Sequence, residues 1–468
     1  MKTKLEHFFK MHENHTHFQT EVYAGLTGFF TLIYFIFLVP TIVMEAFPGA
    51  YDEAGHLVDH FVLPNGLTAH EMLLTLTIAA ILAAVIGTLI TAFWTNKPFA
   101  QGPSVAIATF ITYNLCIKQG YTYEQALAAV FVSGVVFFIL TMLGLEKKIR
   151  AAIPRYLKNA ITVGVGILLA FMGMQKCHMV VEGHHLVEFV KFAGFNDYNS
   201  MSTILCIIGL IIIVVMHAKH IHGAILYGKI IVIIAAVPLG LFHHGHLDLL
   251  DYNLGVMLPT AFKMDFAGFF THGGIMAAIG VVIALCLMNI IEVTSAVIAT
   301  DHVIDNKVHD EGENKDIKKV FEADALATVV GSAMGVTSVT TYIENTSIAA
   351  EGGRTGFSGV VTALLFILAI FIAPYASSVP SAATATTLII TGVFMMTVIK
   401  DIDFHEVEEG LPAFFTIALI PLTYNLFTGV AVGIISHTLI FLLCGHGKKI
   451  NKGTYILTIL FILMFFLL

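Results

Sequence analysis

Residues 72 to 94 pass 23 positions without an Asp, Glu, Lys or Arg. Wound as a helix, a stretch of that length crosses a hydrocarbon layer of roughly 30 Å. Comparable apolar spans recur near 23–45, 101–117, 124–145, 159–175, 201–216, 223–242, 273–300, 321–336, 341–350, 357–375, 383–399, 411–427 and 429–445, with a shorter apolar tail at 454–468. The 468 residues are 57% hydrophobic and only 12% charged, against about 25% charged in a soluble domain. The expected fold class is therefore all-α, a polytopic membrane protein of fourteen transmembrane segments. The polar intervals between spans are too short to carry an independent soluble core. The net charge of −8 forms no basic stripe, which argues against nucleic acid as a partner. No short apolar segment with a cleavage site follows the polar first 22 residues, so no signal peptide is expected and the N-terminus is retained.

Basic residues set the expected orientation, because Lys and Arg concentrate in cytoplasmic connections. With Lys2, Lys4 and Lys10 inside, alternate connections should be basic, and they carry Lys97, then Lys147, Lys148, Arg150, Arg155 and Lys158, then Lys219, Lys307, Lys315, Lys318 and Lys319, Arg354, Lys400, and finally Lys448, Lys449 and Lys452. The opposite connections are poor in them: 46–71 has none and 243–272 only Lys263. This places the N-terminus in the cytoplasm of a multi-pass protein of the cell (inner) membrane; fourteen spans put the C-terminus there too, unless the tail 454–468 carries it across.

Two segments are too interrupted for ordinary spanning helices, "AQGPSVAIATF" at 100–110 and "GVTSVTTYIEN" at 335–345. Irregular backbone at membrane depth survives only where protein or a water-filled cavity satisfies it. They occupy the third and tenth spans, the same place in each seven-span half. Paired breaks of this kind point to a transporter built from inverted repeats with a site near the midplane.

Carboxylates stand at that depth. Residues 325–343 carry no charged residue or His before Glu344 appears, in the first turn of the half-helix expected after the break. A capping carboxylate needs no substrate there. Glu292 argues for more: residues 273–291 are uncharged and the next charge is Asp301, so the acid lies roughly 14 Å from its helix end. A carboxylate so deep costs on the order of 3 kcal/mol and should face a cavity. Two acids in one dry site resist being charged together, which fits one of them to exchange a proton. Carboxylates and free backbone N–H groups together complement a small, flat, neutral molecule with alternating N–H and C=O groups, a nucleobase.

At these residues the chain resembles the nucleobase-cation symporter-2 family, in particular its AzgA-like branch of adenine, guanine and hypoxanthine permeases. The similarity is most specific over "EADALATVVGSAMGVTSVTTYIENTSIAAEGGRTG" (322–356), continues in "VVTALLFILAIFIAP" (360–374) and "LPAFFTIALIPLTYNLFTGVAVGIISH" (411–437), and is looser at 20–40 and 129–145. The resemblance implies a seven-plus-seven inverted repeat of the uracil-transporter type. It implies a core domain from 1–145 and 246–376 that moves, elevator fashion, against a gate domain from 146–245 and 377–468, within a homodimer. It further implies that Glu344 and Glu292 contact the base and one of them carries the coupling proton. Tyr342 and Thr341 would help line the pocket, and Gly102, Pro103, Ser104 and Val105 would form the facing wall. No cofactor is implied beyond a coupling ion, H+ or else Na+. The chain departs from the branch at Val39, which precedes Pro40 where Asn is usual, at Ala108, where a substrate-contacting Asn is usual, and at "IEVTSA", where Glu292 replaces an Asp. A lost amide alters what a site can pair with, so uracil, xanthine or another base-like compound is the alternative substrate.

Other signals are read as structural. The His groups at 12–17, 183–186, 217–222 and 243–248 fall in loops on both faces and are not taken as a metal site. Five Cys without CxxC spacing are read as small core residues, Trp94 as an interface anchor, and Phe110 as a packing residue. An inorganic-anion carrier is disfavoured by the two acids, and a membrane-embedded hydrolase by the lack of HExxH within the spans.

Overall fold

The computed structural model describes residues 2–50, 58, 66–183, 187–192, 194, 197–219, 224–241, 260–305, 315–371, 373 and 380–467. The His group at 243–248, most of those at 183–186 and 217–222, and the connections holding the proposed domain limits at 245/246 and 376/377 lie outside the described residues.

Among the described residues the chain is almost wholly helical, and eight helices are long and apolar enough to cross a membrane: Phe18–Met44, Ala69–Thr95, Tyr123–Met142, Arg155–Lys176, Tyr198–Ala218, Gly274–Val297, Ser381–Asp401 and Leu426–Leu443. Others are apolar but shorter, among them Val105–Lys118, Tyr227–Ala236, Gly356–Ala369 and Lys452–Phe465. Outward residues such as Ile139, Ile211, Leu364 and Leu463 are exposed, as suits a surface that meets lipid instead of water.

Lipid tails give apolar helices no hydrophobic reason to associate, so close contact rests on small residues and hydrogen bonds. Two packed groups result. In one, Phe18–Leu32, Ala69–Thr95, Tyr123–Met142, Gly274–Asp305, Lys315–Ala333 and Gly356–Ala369 contact one another; in the other, Arg155–Lys176, Tyr198–Ala218, Ala224–Ala236, Ser381–Met395, Val407–Thr423 and Leu426–Leu443 do. Arg155–Lys176 and Ser381–Met395 cross backbone to backbone, since a Cβ on Gly392 would fall 2.3 Å from the Gly166 carbonyl oxygen.

The interrupted segments meet each other. Gln101–Pro103 and Val339–Thr341 form a two-stranded antiparallel sheet, with Gln101 opposite Thr341 and Pro103 opposite Val339. Sequence anticipates the breaks but not this pairing, because residues 240 apart carry no local sign of their register. Short helices leave both strands, Val105–Thr109 running into a π-helical Phe110–Lys118, and Asn345–Ala350.

Side chains close the remaining backbone bonds, as membrane depth requires. Asn345 extends the sheet by one rung: its Nδ2 donates to the Ala100 carbonyl at 2.9 Å and its Oδ1 accepts from the Ala100 N–H at 2.9 Å. Thr88 serves Gln101 in the same way, at 2.9 and 3.1 Å. The Tyr342 hydroxyl donates to the Pro103 carbonyl.

The "EGGRTG" stretch also proves structural. Fully buried Glu21 accepts from the backbone N–H groups of Arg354 at 2.8 Å, Thr355 at 3.1 Å and Ser358 at 3.1 Å. It thus binds the N-terminus of Gly356–Ala369, where free N–H groups favour an anion. Glu21→Ala leaves these donors unpaired at about 1–3 kcal/mol each. We expect most of the variant to be lost from the membrane, with Glu21→Gln intermediate, as read by fluorescence-detected size-exclusion chromatography.

Candidate functional site

Glu292 sits midway along the helix Gly274–Asp305, and its oxygens accept from the Ser104 hydroxyl at 3.0 and 2.8 Å. Ser104 owes that position to two other bonds. Its N–H donates to the Ser338 carbonyl at 2.7 Å, and its hydroxyl oxygen accepts from the Ile107 N–H at 3.1 Å as the N-cap of Val105–Thr109. One Ser therefore joins the sheet, a helix start and an intramembrane acid.

Glu344 corrects an expectation. It is the residue before the helix Asn345–Ala350, with helical φ and ψ, and its side chain makes no capping bond. Instead Oε1 accepts from the Tyr34 hydroxyl at 2.9 Å, while Oε2 is buried with no hydrogen-bond partner among the described residues. A buried acceptor left empty is costly, so this oxygen is the strongest local sign of a place for a donor.

These groups border one cavity of about 80 Å³, room for roughly two or three waters. Glu292, Glu344, Thr341, Tyr342, Ser104 and Val105 line it. Gly102 and Pro103 do not, which corrects the expected facing wall. A Cβ on Gly102 would fall 2.6 Å from the Phe35 ring, so Gly102 is there for close packing. Pro103 offers its carbonyl to Tyr342. Tyr342 is held on its other side too, its ring stacked on Phe35 at 5.6 Å and 18°. Phe110 is buried away from the cavity.

Other residues at the site escaped the sequence reading. Tyr34 falls at the break between Phe18–Leu32 and Phe35–Met44, and its only signal is a hydroxyl in an apolar run. Ser295 is one turn beyond Glu292, and Thr162 donates to it at 3.4 Å from Arg155–Lys176. The second packed group thereby supplies the opposite side of the cavity, with Ile161, Val165, Leu169 and Thr391. Asp324 lies behind the sheet, fully buried. Its Oδ1 accepts from the Thr341 N–H at 2.7 Å, the Thr341 hydroxyl at 3.0 Å and Gln101 Nε2 at 3.2 Å. The Thr341 hydroxyl and N–H are therefore both committed to Asp324, although the residue lines the cavity. Asp324 carries little signal in the sequence, because Glu322, two positions earlier, makes the segment read as a span end; Glu322 in fact receives the Trp94 indole N–H at 3.2 Å.

The described residues contain no group of three or more His, Cys, Asp or Glu placed to hold a metal. Four of the Cys are buried and Cys444 is exposed.

The model of a permease family, Xan_ur_permease, matches residues 19–432. The chain is 29% identical over 467 residues to the guanine/hypoxanthine permease PbuO of Bacillus subtilis, covering 98% of this chain and 100% of that one. It is 28% identical over 460 residues to the adenine permease AdeP of Escherichia coli, covering 98% and 95%. The solved transmembrane domain of the cyanobacterial bicarbonate transporter BicA is similar in fold alone, with a TM-score of 0.56, 15% identity, and 89% and 97% of the two chains covered. These relatives are permeases, and the chain is a membrane permease and not an enzyme. It belongs to the Xan_ur_permease family, the nucleobase-cation symporter-2 permeases.

Proposed function

We propose that this permease carries a purine nucleobase into the cytoplasm together with a proton. The observation that carries the reading is the pair of buried carboxylates on one cavity, one of them with an oxygen awaiting a donor. Among the described residues the cavity lining holds acids, hydroxyls and apolar side chains but no amide, Lys or Arg. Such a site favours a base that presents adjacent N–H donors, because a carboxylate accepts two parallel N–H bonds. Guanine has them at N1 and its exocyclic amine; adenine's ring nitrogens along its pairing edge are acceptors. Relatives named for guanine and hypoxanthine and for adenine bracket this choice, and the acid-rich lining supports guanine first, then hypoxanthine, which keeps the N1–H donor but lacks the exocyclic amine.

In this reading Glu344 accepts from the base, and Glu292, whose oxygens already engage Ser104, exchanges the coupling proton. Tyr342 and Thr341 hold the sheet edge beside the base, Ser104 and Val105 complete the wall, and Gly102 and Pro103 support them. H+ is the proposed coupling ion, ahead of Na+. The two packed helix groups support a core, 1–145 with 246–376, that moves as an elevator against a gate, 146–245 with 377–468. The paired breaks, each leading from a strand into a short helix, support a seven-plus-seven repeat of fourteen segments. The basic connections support cytoplasmic termini, and membership of the family supports a homodimer.

Uptake into proteoliposomes across purines, pyrimidines and inorganic anions, with and without an inward proton gradient, tests the proposal. We expect guanine and hypoxanthine to accumulate only with the gradient, and unlabelled adenine to compete about tenfold less well, the worth of one charge-assisted hydrogen bond. Accumulation of bicarbonate or sulfate alone would overturn the substrate class, and gradient-independent accumulation would overturn the coupling.

A further inference from the structure

A second and larger cavity, of about 690 Å³, opens at the face that carries Lys147, Lys148 and Arg150. It lies among the helices Arg155–Lys176, Val407–Thr423, Leu426–Leu443 and Lys452–Leu467, and neither Glu292 nor Glu344 lines it. Four charged residues of both signs line it: Arg155, Lys449, Asp401 and Glu409. None of the four forms an ion pair among the described residues. Arg155, Lys449 and Asp401 are exposed at the cavity mouth, while Glu408 beside them pairs with His446 at 2.8 Å.

The floor of the cavity is polar and buried. His437 is 5% exposed, and its Nδ1 shares a 2.7 Å hydrogen bond with the Tyr156 hydroxyl. His437 lines the cavity, and the Tyr156 bond is the only hydrogen bond its ring makes among the described residues. Six residues from the end of its helix, His437 stands roughly 9 Å inward from that face. The N-terminal N–H groups of Arg155–Lys176 open nearby, because the N-cap residue Pro154 has no side-chain acceptor to offer them. Arg155, Lys449, these N–H groups and His437 suit a phosphate; Asp401 and Glu409 suit an ammonium group.

We propose that this cavity binds a phosphate joined by a short linker to a primary ammonium group, the chemistry of a phosphoethanolamine headgroup. The ligand comes from the lipid leaflet on that face or from a soluble aminoalkyl phosphate. The proposal does not depend on which base the central site carries.

The test uses the full chain in nanodiscs of equimolar phosphatidylethanolamine and phosphatidylcholine, with retained lipid read by native mass spectrometry. The trimethylated choline group cannot donate to Asp401 or Glu409. We expect the ethanolamine lipid to be retained about tenfold over the choline lipid, one charge-assisted hydrogen bond's worth. Glu409→Gln and Asp401→Asn, made separately, should erase that preference, whereas Arg155→Gln with Lys449→Gln should lower retention of both lipids. In discs of choline lipid alone, a rise in the thermal midpoint with O-phosphoethanolamine but not phosphocholine identifies the soluble source. Equal retention of both lipids by the unaltered chain with no such rise, or a preference that survives both acid substitutions, overturns the proposal.

Discussion

Glu344→Gln is expected to lower guanine uptake by at least about a hundredfold in kcat/KM while the protein remains folded, because a charge-assisted bond is lost and a donor is put in its place. The Tyr34 hydroxyl fixes Oε1 at 2.9 Å, and the amide of Gln keeps an oxygen for it. The –NH2 then replaces Oε2, the oxygen with no partner, and meets the N–H edge of the base donor to donor. Glu292→Gln should behave differently. Ser104 bonds both Glu292 oxygens at 3.0 and 2.8 Å, and its hydroxyl can turn to accept from a Gln amide. Binding should therefore survive, and what is lost is the proton. The expected result is guanine exchange that continues between equilibrated compartments but no accumulation under an inward proton gradient. Proteoliposomes measured in counterflow and in gradient mode separate the two roles. Accumulation unchanged in both variants contradicts the site.

Asp324→Ala is expected to cost about 3–5 kcal/mol, because it strips a partner from several buried donors at once. The Thr341 N–H and hydroxyl and the Gln101 amide converge on one oxygen, Oδ1, at 2.7, 3.0 and 3.2 Å. Without it the strand Val339–Thr341 is held to the helix Lys315–Ala333 only at its start, by Thr328 on Val339 at 3.1 Å, and the end that leads to Tyr342 and Glu344 is released. Asp324→Asn is the more informative change. Its Oδ1 still accepts from Thr341, so folding should be near normal, but the neutral amide accepts more weakly and brings its own donors toward Thr340. Guanine uptake should fall about tenfold, through one weakened charge-assisted bond. Thermal midpoints and uptake measured on both variants check this. Normal uptake by Asp324→Ala contradicts the positioning role.

Legibility in the sequence followed the range of the interaction. The apolar spans and the two interruptions are local facts about charge, Gly and Pro, and each has a matching helix or strand among the described residues. Glu292 and Glu344 stand out because each ends a long uncharged run, and depth in lipid makes any charge informative. Tyr34, Asp324 and Thr162 did not stand out, because their importance comes from what packs against them from distant parts of the chain. The sheet between Gln101–Pro103 and Val339–Thr341 is the clearest case: each segment alone reads as a loop, and only their meeting makes either a strand. Asn345 shows the same limit, since its amide has meaning only beside Ala100. The alternative of a capping Glu344 does not hold, because the first N–H groups of so short a helix are served by the carbonyls of Tyr342, Ile343 and Glu344, leaving the acid to face Tyr34.

A structure of the purified protein with guanine bound tests the central claim most directly. The ring is expected in the cavity between the strand pair and Arg155–Lys176, with one of its N–H groups at hydrogen-bonding distance from Glu344 Oε2 and Glu292 still engaged by Ser104. Guanine bound elsewhere, or Glu344 turned away from it with an anion at the sheet edge, would contradict the account.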